Sequence, residues 1–218
     1  RLVAVTDALG QVSTLLSVAA PVFVACSLGL RDLYLSLTAP VFWGTYRALR
    51  VSGSVVGAIV ILAVGGWLQL DPLLSVGVAV LKVGDALLDL LYGELQQDRR
   101  MASLGAVMIF ASFLTSAGAA AAWFMTGSGV IGLFVAAILR APLVAWVAVV
   151  AAPHASKGGL RGVDGVLVLM KPALPVTINQ LMASALTYIP VWLVALFAGV
   201  GAVGTWSAAA YLLVAANF

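Results

Sequence analysis

Long apolar runs, separated by short polar connections, occupy almost the whole chain. A helix of about 20 apolar residues is long enough to cross the hydrocarbon core of a bilayer. Such runs lie near residues 11–30, 51–70, 72–95, 103–126, 128–152 and 172–199, and a shorter one extends from residue 205 to the end. This pattern predicts an all-α, polytopic transmembrane helix bundle.

The run 72–95 differs from the others because charged side chains are spaced along it at helical intervals. At about 100° per residue, Lys82, Asp85 and Asp89 share one face of the predicted helix, and we call this face the charged stripe. At ~1.5 Å per residue, Lys82 lies ~16 Å into the helix, near the middle of a bilayer. Facing lipid, each charge would cost roughly 2.5–3.5 kcal/mol, so we expect the stripe to face a protein interior or a water-filled cavity. The alternative is a Lys82–Asp85 ion pair that only locks helices together.

Two arginines lie next to or within apolar runs. Arg140 is near the centre of the run 128–152, where an unpaired arginine is costly, so we expect Asp85 or Asp89 to be its partner. Arg31 directly follows the last apolar residues of the first run. It can turn inward to a cavity or snorkel to the cytoplasmic interface, and snorkelling is the favoured interpretation.

Polar amides occur within the run 172–199. Asn179 and Gln180 lie about one third of the way along it. Amides at this depth either form hydrogen bonds between helices or face a solute, and the sequence leaves both alternatives open.

The composition is that of a membrane protein. Of the 218 residues, 63% are hydrophobic and 9% are charged, whereas about 25% are charged in a soluble domain. The single Cys26 and the single His154 exclude a disulfide framework and a Cys/His metal cluster built from this chain. We expect Cys26 to pack between helices and His154 to lie in an interfacial loop. The net charge of +3 comes without a basic, aromatic-rich patch, so we expect no nucleic-acid binding.

Lysine and arginine concentrate in alternate connections. They occur near residues 31–50, 99–100 and 157–171 and are absent near 69–71, 126–129 and 199–204. By the positive-inside rule the first set is cytoplasmic and the second is external. Residues 33–50 carry side chains typical of a membrane interface, so we expect them to lie along the membrane surface; these are Tyr34, Trp43, Tyr46, Arg47 and Arg50.

The chain divides at a Gly-rich, basic stretch. We predict an N-terminal transmembrane lobe at residues 1–152, a cytoplasmic linker at 153–171 and the start of a C-terminal lobe at 172–218. The sequence ALGQVS at 8–13 is echoed by AVGTWS at 202–207, both at the external entrance of a run, which suggests parallel repeats. Because the chain opens on Arg1 rather than Met, we expect a fragment of a longer protein.

Three stretches resemble the polysaccharide flippases, the lipid-linked oligosaccharide branch of the MOP exporter superfamily. They are ALGQVS with the following SLGLR, GDALLDLLYGELQQDRRM, and KPALPVTINQ followed by GVGAVGTWSAAAYLL. The resemblance covers essentially the whole chain, as the second helix to part of the eighth of a two-lobed transporter. Gly84 and Asp85 depart from the family pattern, which has a larger residue and Glu at these places.

The resemblance implies a multi-pass exporter of the bacterial inner membrane, not an enzyme. It would move an undecaprenyl-pyrophosphate-linked oligosaccharide from the cytoplasmic to the external leaflet by alternating access. Its partners would be this lipid, the bilayer and the polymerase or assembly proteins of polysaccharide synthesis. The candidate anion contacts are Arg31, Lys82 and Arg140, and the groups that would hold these cations or bind sugar hydroxyls are Asp85, Asp89, Asn179 and Gln180. No cofactor is expected, and coupling to an H⁺ or Na⁺ gradient through Asp85 or Asp89 is left open.

Other functions fit parts of the pattern. A multidrug or cation antiporter of the same architecture would need acidic residues free of nearby cations, whereas this set is mixed in sign. A membrane enzyme acting on lipid-linked sugars would need a substantial external loop, whereas the external connections are only a few residues long. The cost of burying charge disfavours a purely structural scaffold.

Overall fold

Helices account for nearly all of the chain that the computed structural model describes, namely residues 2–37, 41–151, 159–160 and 162–216, with side chains between residues 9 and 210. They are α1 Leu2–Ser27, α2 Leu30–Ser36, α3 Trp43–Trp67, α4 Pro72–Gln97, α5 Met101–Thr126, α6 Gly129–Val150, α7 Gly162–Ala198 and α8 Val200–Ala216. These described ranges contain no strand, only an isolated bridge between Val41 and Leu160. The predicted all-α class is confirmed.

Five helical segments of the described chain are long and apolar enough to cross a membrane. They are Leu9–Ser36, which combines most of α1 with α2, and the helices α3, α5, α6 and α7. Helix α4, which corresponds to the predicted run 72–95, is not among these five segments. It has the same length as α5, 26 residues, but carries the charged stripe. The helices indicate a multi-pass membrane protein, as the apolar runs predict.

Local sequence signals end and start the helices at the short connections. Asp71 caps α4, since its side chain accepts a hydrogen bond from the backbone N–H of Leu73 at 2.8 Å, and Pro72 occupies the first turn, where no N–H is needed. Between α5 and α6, Gly127 takes a left-handed φ of 69° and Ser128 caps α6. Such short connections make α3 and α4, and likewise α5 and α6, antiparallel neighbours.

Helix α4 lies at the centre of the bundle. Helices α1, α3 and α6 pack against it, α5 packs mainly on α6, and α7 and α8 pack on α1. Leu15, Ile61 and Val78, from α1, α3 and α4, are fully buried in the shared core. Gly53 on α3 lies so close to α1 that a Cβ would collide with the carbonyl oxygen of Cys26. Cys26 therefore lies at a helix contact, as expected.

The stretch 33–50 differs from the predicted surface segment. Helix α3 begins at Trp43 and runs without a break into the membrane-spanning part. Trp43 and Tyr46 are 5% and 3% exposed and pack with Tyr34, with ring centroids between 4.8 and 6.2 Å apart. The surface prediction is wrong for these side chains, because they are buried in a cluster with residues of α2, α4 and α7.

The predicted linker 153–171 is helical in its second half. Helix α7 begins at Gly162 and is 37 residues long, which is ~55 Å at ~1.5 Å per residue and exceeds the ~30 Å hydrocarbon core. The predicted boundary at Pro172 assumes that proline starts the helix, whereas α7 contains this proline in its interior. His154 lies outside the described residues.

Candidate functional site

A break between α1 and α2 turns the chain toward the centre of the bundle. Leu28 and Gly29 both have left-handed backbone angles, with φ of 53° and 55°. This conformation costs a leucine about 1–2 kcal/mol, so tertiary packing must maintain it. Gly29 packs against α7, where a Cβ would lie 2.5 Å from Cγ1 of Val176. The break therefore determines the direction in which Arg31 on α2 extends.

Arg31 extends into the bundle, so the favoured interpretation that it snorkels is wrong. Its Nη1 donates to Oδ1 of Asp89 at 3.1 Å, and its Nη2 donates to Oε1 of Gln96 at 2.9 Å. Arg50 on α3 donates from Nη2 to the other carboxylate oxygen of Asp89. One carboxylate of α4 thus pairs with arginines from two other helices, which avoids an unpaired charge inside the bundle.

A second ion-paired group lies one helical turn away on α4. Oδ1 of Asp85 is 3.1 Å from Nη2 of Arg140 on α6, and Oδ2 is 3.8 Å from Nζ of Lys82. Asp85 and Asp89 are four residues apart, so the two groups lie about 6 Å apart along one helix face. Gly84 makes room for the arginine, since a Cβ there would lie 2.7 Å from Cβ of Arg140. The predicted pairing of Arg140 is confirmed with Asp85 as the partner, and the unusual Gly84 has a steric reason.

Both groups contain unused guanidinium donors. Nε of Arg50 and Nε of Arg140 are buried, and neither has a hydrogen-bond acceptor among the described residues. A buried donor without an acceptor costs about 1–3 kcal/mol, and more when the group is charged. The carboxylates are already shared, because each contacts two cations. Because protein atoms enclose both Nε groups, an oxygen atom of a ligand or of water reaches them only when the surrounding side chains move.

A polar cavity of about 190 Å³ adjoins the Asp89 group. Its lining comes from the α1–α2 break and from α3, α4 and α7, and includes Arg31, Asp32, Arg50, Asp89 and Gln180. Nε2 of Gln180 donates to Oδ2 of Asp32 at 2.7 Å, which joins α7 to α2 at the cavity wall. Two arginines and two aspartates line the cavity, so its charge is mixed and locally balanced.

The structure divides the predicted site residues into three sets. Arg31, Asp89 and Gln180 line the polar cavity. Lys82, Asp85 and Arg140 form the neighbouring ion-paired group. Asn179 is exposed on α7 and does not line the cavity.

Arg50 and Asp32 belong to the site, yet no motif in the sequence marks them. Arg50 shares the buried face of α3 with Ser54 and Ile61, at the i, i+4 and i+11 spacing of one helix face. That spacing is the sequence signal for a buried Arg50, but the neighbouring aromatic residues are typical of a membrane interface instead. Asp32 has no such signal, because its role depends on Gln180, which is remote in the sequence.

Neither a metal site nor a relative identifies the function. In the described ranges, no three His, Cys, Asp or Glu side chains lie close enough together to hold a metal ion. Comparisons of the chain with protein-family models, with curated proteins and with solved structures found no match. The functional argument therefore depends on the geometry of the charged groups.

Proposed function

We propose that the chain is part of a flippase that moves an undecaprenyl-pyrophosphate-linked oligosaccharide from the cytoplasmic to the external leaflet of the bacterial inner membrane. The observation that carries the proposal is the polar cavity lined by Arg31 and Arg50, where Nε of Arg50 has no acceptor among the described residues. Phosphate oxygens are acceptors that arginine binds well, and sugar hydroxyls can accept from the same donors. A pyrophosphate-linked sugar offers both, while its isoprenoid tail stays in the lipid.

The ion pairs hold arginine donors close to acidic side chains. In the absence of substrate, Arg31 and Arg50 share the single carboxylate of Asp89, and Asp32, which also lines the cavity, supplies the second negative charge. When a pyrophosphate enters the cavity, these arginines donate to it from the N–H groups that are not hydrogen-bonded to Asp89. Asp89 keeps both side chains in place for this exchange, which is a positioning role.

The packing of α1 supports a state that is closed at the external end. Near that end, Gly10 lies so close to α8 that a Cβ would be 3.2 Å from the backbone nitrogen of Gly204. Further along α1, Nε1 of Trp192 donates to Oγ of Ser17 at 3.1 Å. The polar cavity lies at the opposite end of α1, at Ser27. An alternating-access transporter with its cavity open to the cytoplasm would have this arrangement.

The close contact between α1 and α8 at Gly10 also supports two like-oriented lobes. Gly10 and Gly204 occupy equivalent places in the echoed stretches ALGQVS and AVGTWS, and the structure brings them together. Equivalent residues of two repeats meet in this way at a pseudo-two-fold axis. The repeat prediction thus gains a spatial argument in addition to the short sequence match.

A lipid-flipping assay tests the proposal. The full-length protein is reconstituted in vesicles, and movement of a fluorescent undecaprenyl-pyrophosphate-linked oligosaccharide between leaflets is measured with and without an H⁺ or Na⁺ gradient. Asp89→Asn and Arg140→Ala each disrupt one ion-paired group. Arg99→Gln removes an exposed arginine at the end of α4 and is the matched control. We expect the parent and the control to flip the lipid, and both site variants to insert normally but fail.

Two outcomes contradict the proposal. Movement of small cations without movement of the lipid-linked sugar would assign a cation antiporter, although the two cations around each stripe carboxylate disfavour that function. Failure of the parent to flip, together with unfolding of both site variants, would assign the ion pairs a structural role.

A further inference from the structure

A second cavity lies on the outer side of the bundle. Its volume is about 240 Å³, its walls come from α3 and α6, and α4 forms its floor. Most of the lining is apolar and includes Leu87, Leu91, Val144 and Ala148. We call this cavity the lateral groove.

The charge in the lateral groove has one sign. Its charged lining residues are Arg47 and Arg50, and none of its described lining residues is acidic. Arg50 is already engaged by Asp89 of the charged stripe. Arg47 is exposed, and no described residue forms an ion pair or a side-chain hydrogen bond with it. An apolar groove with an exposed arginine at its rim is complementary to an anionic amphiphile.

The lateral groove opens on a face of the bundle that is apolar and exposed. Val51 at its edge is 50% exposed, and Val149, next to the exposed Ala148, is 75% exposed. Arg47 and Val51 lie in the first turns of α3, and Ala148 lies in the last turn of α6. The positive-inside rule assigns these helix ends to the cytoplasmic side. The rim of the groove is therefore at the level of the cytoplasmic lipid head groups.

We propose that the lateral groove binds one anionic phospholipid of the cytoplasmic leaflet. Its phosphate would contact Arg47, and part of one acyl chain would lie along Leu87 and Leu91. The cytoplasmic leaflet carries a negative surface potential from its anionic lipids, and basic pockets between transmembrane helices bind their head groups. Burial of acyl methylene groups against leucine side chains adds to the affinity. The phosphate contact uses Arg47, which does not line the polar cavity, although Arg50 lines both cavities.

Photo-crosslinking of the full-length protein in neutral detergent tests the site. The probe is phosphatidylglycerol with a diazirine in one acyl chain, and labelled peptides are located by mass spectrometry. We expect labelling near Val144 and Ala148, and unlabelled phosphatidylglycerol should suppress it at about tenfold lower concentration than phosphatidylcholine. Arg47→Gln should raise about fivefold the concentration of unlabelled phosphatidylglycerol that suppresses labelling, because one basic residue is lost. Ala148→Phe should block labelling by filling the groove, and the control Arg99→Gln should change neither result.

Three results would overturn the proposal. Equal competition by phosphatidylcholine would identify ordinary boundary lipid. Labelling of neighbouring faces but not of the groove would mean that another part of the protein fills it. Competition by inorganic phosphate as effective as that of phosphatidylglycerol would identify a phosphate site without a lipid. If Arg47→Gln lowers the thermal unfolding midpoint, Arg47→Lys replaces it as the test variant. This variant keeps the positive charge, and the proposal requires that it be labelled like the parent.

Discussion

Replacement of Asp89 by asparagine tests how the ion pairs stabilise the bundle. The substitution keeps the size of the side chain and removes the charge that two arginines share. The arginines differ in their surroundings, because the side chain of Arg50 is 3% exposed and that of Arg31 is 27% exposed. Loss of the counter-ion is more costly for the buried cation than for the partly exposed one.

The expected magnitudes follow from this difference in burial. Removing one partner of a buried ion pair costs about 3–5 kcal/mol, and the Asp89 side chain is 40% exposed, so we expect Asp89→Asn to lower the free energy of unfolding by about 2–3 kcal/mol. Arg31→Gln leaves Asp89 paired with Arg50 and should cost about 1 kcal/mol or less. Adding Arg50→Met to Asp89→Asn removes the buried, unpaired cation, so the double variant should regain about 1 kcal/mol.

The free energies can be measured by titrating SDS into mixed micelles of the full-length protein and following the loss of helical circular dichroism. We expect Asp89→Asn to be the least stable variant and Arg31→Gln the most stable. The reasoning is refuted if Arg31→Gln destabilises the protein as much as Asp89→Asn does. It is equally refuted if Asp89→Asn with Arg50→Met is less stable than Asp89→Asn alone, because Arg50 would then not depend on this counter-ion.

Two further predictions concern glycines at helix contacts, with Gly105 as a matched control because a Cβ there would meet nothing within 4 Å. Gly84→Val should lower the free energy of unfolding by about 1–3 kcal/mol through overpacking against Arg140, measured by SDS titration beside Gly105→Val. Gly10→Val should push α1 away from α8, because its side chain would overlap the backbone at Val200, and the thermal unfolding midpoint should fall more than for Gly105→Val. A fall no larger than that of the control would contradict the close packing at that glycine.

The helices themselves follow closely from the sequence, because local properties produce them. The length of the apolar runs predicts membrane-spanning helices, and Asp71 with Pro72 marks the start of α4. Several helix starts differ from the predicted runs. Helix α1 begins at Leu2 rather than near residue 11, α3 begins at Trp43, whose ring packs with Tyr34 and Tyr46, and α7 begins at Gly162 within the predicted linker.

The charged site shows the same division between local and remote information. The spacing of Asp85 and Asp89 determines that both lie on one face of a helix, and their distance from the helix ends determines their depth, since these are properties of a single helix. The partners of these carboxylates depend instead on how α2, α3 and α6 are rotated around α4. Packing between residues far apart in the sequence sets those rotations, and only the tertiary structure could therefore direct Arg31 inward and assign the buried Arg50 to Asp89.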